Sequence, residues 1–326
     1  MDSQAKKYLL ESSLFLALFF AILSSGFAQS FKFIALGDMP YSQPQDFPRF
    51  ERLIKTINMT NPTFSIFVGD TKSSDTPCSN EHVNKMTGYF NDFQMPLIYS
   101  IGDNEWTDCH LALAGAYNPL ERLSHIRTTQ FSDDRSFGKT RLTLIRQADL
   151  MTQFATYVEN SLWVKGQFLF VSLHIPWSNN NLGCDQESDK EYALRNTANL
   201  AWIQYAFELA KAKQYAGIIF AFQADPFYSP ELATSPSSGY RDTLNQFRKL
   251  SENVSTPVLL IHGDSHRLKI DQPLKGSNQK TLETVYRLQV MGADQVQAIE
   301  ISVDSDQLSP FSFRPILVPE NIPQVK

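Results

Sequence analysis

Several things are scarce in this 326-residue chain, and each scarcity removes a class of protein. Lysine and arginine number 29 against 34 acidic residues, for a net charge of −5, so no basic surface accumulates to hold a nucleic-acid backbone. No internal repeat recurs, which argues against a repetitive structural or adhesive module. No Gly-x-Ser-x-Gly elbow exists for a serine hydrolase, and Asp264, Ser265 and His266 stand too close in sequence to form a triad without distortion. The "FGKT" at Phe137 lacks the glycine that a P-loop needs where Asp133 stands. Beyond the first 28 residues, no run is apolar enough to span a bilayer.

The N-terminus holds the one long apolar run. Lys6 and Lys7 precede Leu14 to Leu23, and Gly26 and Ala28 then stand at the spacing a signal peptidase reads. The run is about ten residues, half of what a membrane span needs. Residues 1–28 are therefore predicted to be a signal peptide, and the remainder to be secreted or periplasmic with no membrane anchor after cleavage. Export puts the three cysteines in an oxidising compartment. Cys78 and Cys109 each stand a few residues past a polar loop, so a bridge between them would tie the two loops together. By loop entropy, closing about 30 residues contributes roughly 3–4 kcal/mol.

With 42% hydrophobic and 19% charged residues, the mature chain can fill a sizeable core, and residues 29–326 read as one domain. Near-continuous apolar runs recur: "FKFIALG", "FSIFVG", "PLIYSIG", "QFLFVSL", "GIIFAF" and "PVLLI". Such strands suit a sheet covered on both faces. Helical stretches intervene, the clearest being 190–213, where Leu200, Ile203, Phe207 and Ala210 keep helical spacing. This alternation is the α/β pattern. After His266 come "TVYRLQVM", "QAIEISV" and "FSFRPILV", without helices between them, and these are expected to complete a second, more antiparallel sheet.

The residues at the carboxyl end of each strand are more telling. The runs lead into Asp38, Asp70, Asp103, His174, then Gln223 and Asp225, then His262, Asp264 and His266. In open α/β sheets the carboxyl ends of the strands line the ligand crevice. A single Gly-Asp is ordinary turn chemistry, but three successive strands ending in it, then a His-Gly-Asp-Ser-His loop, are not. Carboxylates brought together repel unless a cation lies among them. A mixed oxygen and imidazole set suits manganese, iron or zinc better than calcium.

The blocks "GDMPY", "GDTKSSD", "GDNEW" and "GDSH", in this order between Phe31 and Ile270, resemble the motifs of the calcineurin-like metallophosphoesterases, relatives of the purple acid phosphatases. The resemblance implies a four-layer α/β/β/α sandwich of two mixed sheets flanked by helices. It also implies two divalent metal ions and hydrolysis of a phosphate mono- or diester by a metal-bound hydroxide. Carried onto this chain, Asp70 bridges the metals, Asp38 and His266 complete one position, and Asp103, Asp264 and His174 complete the other. The partner implied is a small phosphorylated substrate.

Departures accompany the resemblance. Pro40 stands where the first motif often has a ligating His, with Tyr41 as a substitute. Asp103 replaces an Asn, Asp264 replaces the first His of the last pair, and Asn104 replaces the catalytic His. Asn104 would contact phosphate but has no acidic proton to give, which leaves His262 as a candidate replacement donor. His174 in "LHIPW" has the look of the family's His-x-Pro, yet the order of elements gives that slot to "FQADPF", where Gln223 or Asp225 would serve. Glu105 reads as an acceptor that orients a neighbour. So many changes also suit a catalytically degenerate metal- or ligand-binding protein on the same scaffold.

Overall fold

The computed structural model describes residues 30–252 and 254–322; the expected signal peptide lies outside the described residues. Each apolar run noted above forms a strand. In chain order the strands are β1 (Phe31–Leu36), β2 (Ser65–Phe67), β3 (Leu97–Tyr99), β4 (Ile145–Arg146), β5 (Ser161–Lys165), β6 (Phe168–Ser172), β7 (Gly217–Ala221), β8 (Val258–His262), β9 (Lys269–Asp271), β10 (Val285–Gln289), β11 (Ala298–Val303) and β12 (Phe311–Ile316). They make a five-stranded sheet, β12-β11-β1-β2-β3, and a seven-stranded sheet, β4-β5-β6-β7-β8-β10-β9. Both are mixed: β1, β2 and β3 run parallel while β11 and β12 are antiparallel, and β6, β7, β8 and β10 run parallel while β4, β5 and β9 are antiparallel.

The last strands do not all complete one antiparallel sheet, contrary to the expectation from their spacing. β10 pairs parallel to β8, whereas β11 crosses to the other sheet and pairs with β1. Burial supplies the reason. β11 is buried at five of six positions, as a strand flanked on both sides must be, and β12 comes next as the edge, with Ser312, Arg314 and Pro315 exposed.

Three cores separate four layers. Phe33, Phe64, Phe170, Ile219, Leu259 and Ile301 fill the space between the sheets. Helix α1 (Phe47–Thr60) lays Phe50, Leu53, Ile54 and Ile57 against the outer face of the five-stranded sheet, with α2 (Asn80–Asn91) and α3 (Pro119–Gln130) beside it. On the other outer face, α4 (Gln186–Lys213) buries Trp202, Ile203, Ala206 and Phe207. This helix begins four residues earlier than its apolar spacing shows, because the Asp185 side chain accepts from the Ser188 N–H and caps it. Two further helices, α5 (Pro230–Thr234) and α6 (Arg241–Ser251), lie between β7 and β8.

Cys78 and Cys109 are joined, their Cα atoms 5.8 Å apart, and Cys184 is free and exposed. No helix among the described residues is long and apolar enough to cross a membrane.

Candidate metal centre

The residues after β1, β2 and β3 meet those after β7 and β8 at one rim. Here the carboxylates of Asp70, Asp103 and Asp264 each offer an oxygen, all within 4.8 Å of one another. Asp38 is attached to this group through its Oδ1, which accepts the Asp264 N–H at 2.9 Å. The glycines preceding these aspartates make the convergence sterically feasible. A Cβ on Gly102 would stand 2.1 Å from Asp70 Oδ1, and one on Gly263 would stand 2.2 Å from Asp38 Oδ2. Asp38, Asp70, Asp264 and His266 all hold φ between 53° and 74°, a conformation that costs L-residues energy and is concentrated at functional sites.

Glu105 holds the loops in place. Its Oε2 accepts from the N–H groups of Gly102 at 3.0 Å and Asp70 at 3.3 Å, and its Oε1 accepts from Thr71. Asp70 Oδ2 is the most contacted oxygen of the group. It accepts from the Tyr41 hydroxyl at 2.7 Å, the Asn104 amide at 3.0 Å and the Gln223 amide at 3.1 Å. Gln223 also donates to Asp264 Oδ1 at 3.3 Å, while its own oxygen accepts the Trp177 N–H at 2.6 Å. His266 Nε2 lies 3.2 Å from the Tyr41 hydroxyl and 3.9 Å from Asp38 Oδ1. Asp103 Oδ2 accepts from Ser178 at 2.9 Å. The group reaches solvent at Tyr41, Asp264 and His266, which are the partly exposed members.

Burial first, and the surrounding carboxylates after it, push the carboxyls of Asp70 and Asp264 well above the usual range; burial does the same to Asp38, against the pull of its bond from Asp264. Asp103 is pushed up to about 7 by burial and by Asp108 beside it. Asp38 Oδ2 and Asp103 Oδ1 are buried without a hydrogen-bond partner. A hard divalent cation fits such a donor set, since it supplies the missing charge and the missing partner together.

The same shifts fix a pH dependence. A carboxyl whose folded pKa exceeds its unfolded value of about 3.9 adds stability only while protonated, and that contribution is lost as pH rises through the folded value. Between about pH 4 and pH 7 the metal-free site therefore turns increasingly unfavourable, and a bound cation offsets more. The gain in Tm on adding saturating Mn²⁺ in place of EDTA is expected to grow over that range. A gain that stays constant with pH would contradict this.

The imidazoles are placed differently from one another. His266 stands at the rim. His174 pairs through Nδ1 with Glu159 Oε1 at 2.8 Å, its carbonyl accepts from Arg195 and Asn199, and its ring lies 5.4 Å from that of Trp106. It is not among the three residues whose ligand atoms lie within 4.8 Å of one another; the neighbouring strand end delivers Gln223 there instead. Burial lowers its pKa to about 4, against the pull of Glu159. His174→Asn is thus expected to leave metal per chain unchanged while costing about 1–3 kcal/mol for the stranded buried Glu159, read as metal content by elemental analysis and as a urea midpoint.

His262 does not stand where a proton donor is needed. It is fully buried, its ring lies 5.8 Å from Phe222 and 5.9 Å from Phe227, and its Nε2 is 3.9 Å from Asp225. Burial lowers its pKa to about 4, so it is neutral near pH 7. As the last residue of β8 it points into the helix-covered side, and the loop after it turns Asp264 toward the cluster. Asp225 faces the same way, accepting from Ser265 at 2.6 Å.

Two contributors carry no motif. Lys72, only 1% exposed, is a buried cation near Glu105, Asp70, Asp108 and Asp103, with its pKa lowered by burial. Ser178 sits in a run of four residues, Ser178 to Asn181, all with φ between 48° and 67°. This left-handed turn is tolerated because three of the four are Asn.

No family model matches the sequence, and no curated protein does. Solved structures do match in fold. A dimetal phosphatase from Danio rerio aligns with a TM-score of 0.53 at 10% identity, over 88% of this chain and 98% of its own. A purple acid phosphatase from yellow lupin seeds aligns at 0.50 with 11% identity, over 92% of this chain and 57% of its own. The fold is the metallophosphoesterase fold. It was implied by four short blocks in the sequence, and two mixed sheets between helices bear it out.

Proposed function

We propose that this chain is an exported, metal-dependent phosphoesterase acting on a small phosphate mono- or diester. The observation that carries the proposal is the buried triad of Asp70, Asp103 and Asp264 at the rim of a metallophosphoesterase fold, with carboxyl pKa values that only a cation would restore. These three residues would hold one divalent ion. Asp38, Tyr41 and His266, on the other side of Asp70, would hold a second. Bound there, divalent metal supplies Lewis-acid stabilisation of phosphoryl oxygens and a strong nucleophile at neutral pH.

The chain's own groups do the rest. Glu105 fixes the backbone of the second and third loops, so the carboxylates are preorganised. The amide of Asn104 and the hydroxyl of Tyr41, 3.1 Å apart beside the partly exposed edge, are the neutral donors available to phosphoryl oxygens. Lys72 offsets part of the negative charge. The disulfide supports export, as does the N-terminal segment.

Metal content per chain measured together with turnover of 4-nitrophenyl phosphate and bis(4-nitrophenyl) phosphate tests the proposal. Metal-dependent release of nitrophenol is expected, and none with either ester, across Mn²⁺, Fe²⁺ and Zn²⁺, would reject it. A second reading, a binding protein on this scaffold, draws on one observation: three neutral donors already occupy Asp70 Oδ2. Stoichiometric metal with no turnover would favour it.

A further inference from the structure

We infer that the site takes phosphate esters carrying a planar aromatic ring with hydrogen-bonding groups, such as a nucleoside, and that Trp177 and Tyr228 receive the ring. The inference rests on the phosphoesterase reading and names the part of the substrate that reading leaves open.

Trp177 is fastened directly to the carboxylate cluster. Its N–H is held by Gln223, whose amide touches Asp70 and Asp264, and the next residue, Ser178, donates to both Asp103 and Asp108. A group bound against the indole is therefore anchored to the same frame as a phosphate at the metal centre. The indole is also rigid. It stacks on the buried Tyr240 at 5.7 Å, and the Tyr240 hydroxyl donates to Pro176 O and accepts the Asn180 N–H, closing the left-handed turn from behind. Rigid aromatic surface loses little entropy on binding.

Tyr228 completes the feature. It lies edge-on to Trp177 at 5.8 Å and is 70% exposed, an unusual position for a large ring packed against nothing else. Beside Trp177 a cavity of about 360 Å³ is lined by Tyr240, Asn179, Glu231 and three serines, Ser235, Ser237 and Ser238. Ser235 and Ser237 face each other at 2.8 Å with donor and acceptor capacity to spare. An aromatic wall with hydroxyls and a carboxylate around it suits a ring that both stacks and hydrogen-bonds, better than an aliphatic chain. Base stacking on aromatic side chains is sequence-tolerant and worth about a tenfold gain or more per ring.

Two measurements test this. Of the four tryptophans, Trp106, Trp163 and Trp202 are at most 3% exposed, so quenching of intrinsic fluorescence by adenosine reports on Trp177. Adenosine is expected to quench, and Trp177→Phe to abolish the signal. Separately, adenosine 5′-monophosphate and ribose 5-phosphate share one phosphate ester and differ only in the base. As competitive inhibitors of 4-nitrophenyl phosphate hydrolysis, the nucleotide is expected to bind at least about tenfold tighter. Trp177→Ala should erase that ratio, Trp177→Phe should keep most of it, and Tyr228→Ala, at an exposed position, should lower it in a folded protein. Inhibition by inorganic phosphate should not change in any variant.

Equal inhibition by the two esters, with no quenching by adenosine, overturns the ring site while leaving the phosphoesterase reading intact. Quenching by adenosine in a protein that hydrolyses nothing supports the ring site and rejects the activity.

Discussion

Asp70→Asn is expected to abolish both metal uptake and hydrolysis, lowering kcat by at least about a thousandfold, in line with the loss of a preorganised electrostatic group. Asp70 is the residue shared by the two halves of the site: its Oδ1 faces the Asn104 N–H, and its Oδ2 takes the donors from Tyr41, Asn104 and Gln223. The change is nearly isosteric, so it removes charge rather than volume. In the metal-free chain that removal relieves repulsion with Asp103, Glu105 and Asp38. The variant should therefore be more stable than the wild type in EDTA at pH 7, and should gain nothing from Mn²⁺. A merely structural aspartate would show the opposite pattern, with lower stability and unchanged metal content. Calorimetric titration with Mn²⁺ and thermal denaturation with and without EDTA read both arms, and retained metal binding would remove the assignment of Asp70.

The strand ends were legible because burial and chemistry alternate sharply there. Apolar runs such as "FKFIAL" and "VLLIH" end where Asp38 and Asp264 begin, and a buried strand leading into a carboxylate carries its meaning locally. The pairing of β11 with β1 rather than with β10 was not legible. "QAIEISV" is as apolar as either neighbour requires, and nothing within the strand itself selects between two sheets. The role of His174 was obscured in the same way. Sequence places it at a strand end, as it does Gln223, but only the three-dimensional order of β6 and β7 shows that Gln223 faces Asp70 while His174 faces Glu159. Lys72 and Ser178 left no pattern at all. A lysine two residues after an aspartate reads as surface charge, and "SNNN" reads as a turn, which it is, although a left-handed one directed at Asp103.

Leaving-group chemistry should show how much the Asn104 substitution costs. The two amide-side contacts of Asn104 go to Asp70 and to the Tyr41 hydroxyl, and an amide has no proton to transfer near neutral pH. The nearest alternatives do not serve. His262 is sealed behind Phe222 and Phe227, His174 is held by Glu159, and His266, lowered by burial, is neutral at pH 7 with its Nε2 beside Tyr41. Without a general acid the departing oxygen must leave as an anion, so the rate falls with its basicity. General acid catalysis is worth about 10²- to 10⁴-fold, and that is the expected deficit in kcat/KM for alkyl phosphates relative to an enzyme that protonates them. Across substituted phenyl phosphates, log kcat/KM should decline steeply as the phenol pKa rises, and placing an imidazole back with Asn104→His should flatten the slope. A flat dependence in the unaltered chain would mean that another group delivers the proton. The partly exposed Tyr41 would then be the first candidate, because its hydroxyl already lies between Asp70, Asn104 and His266.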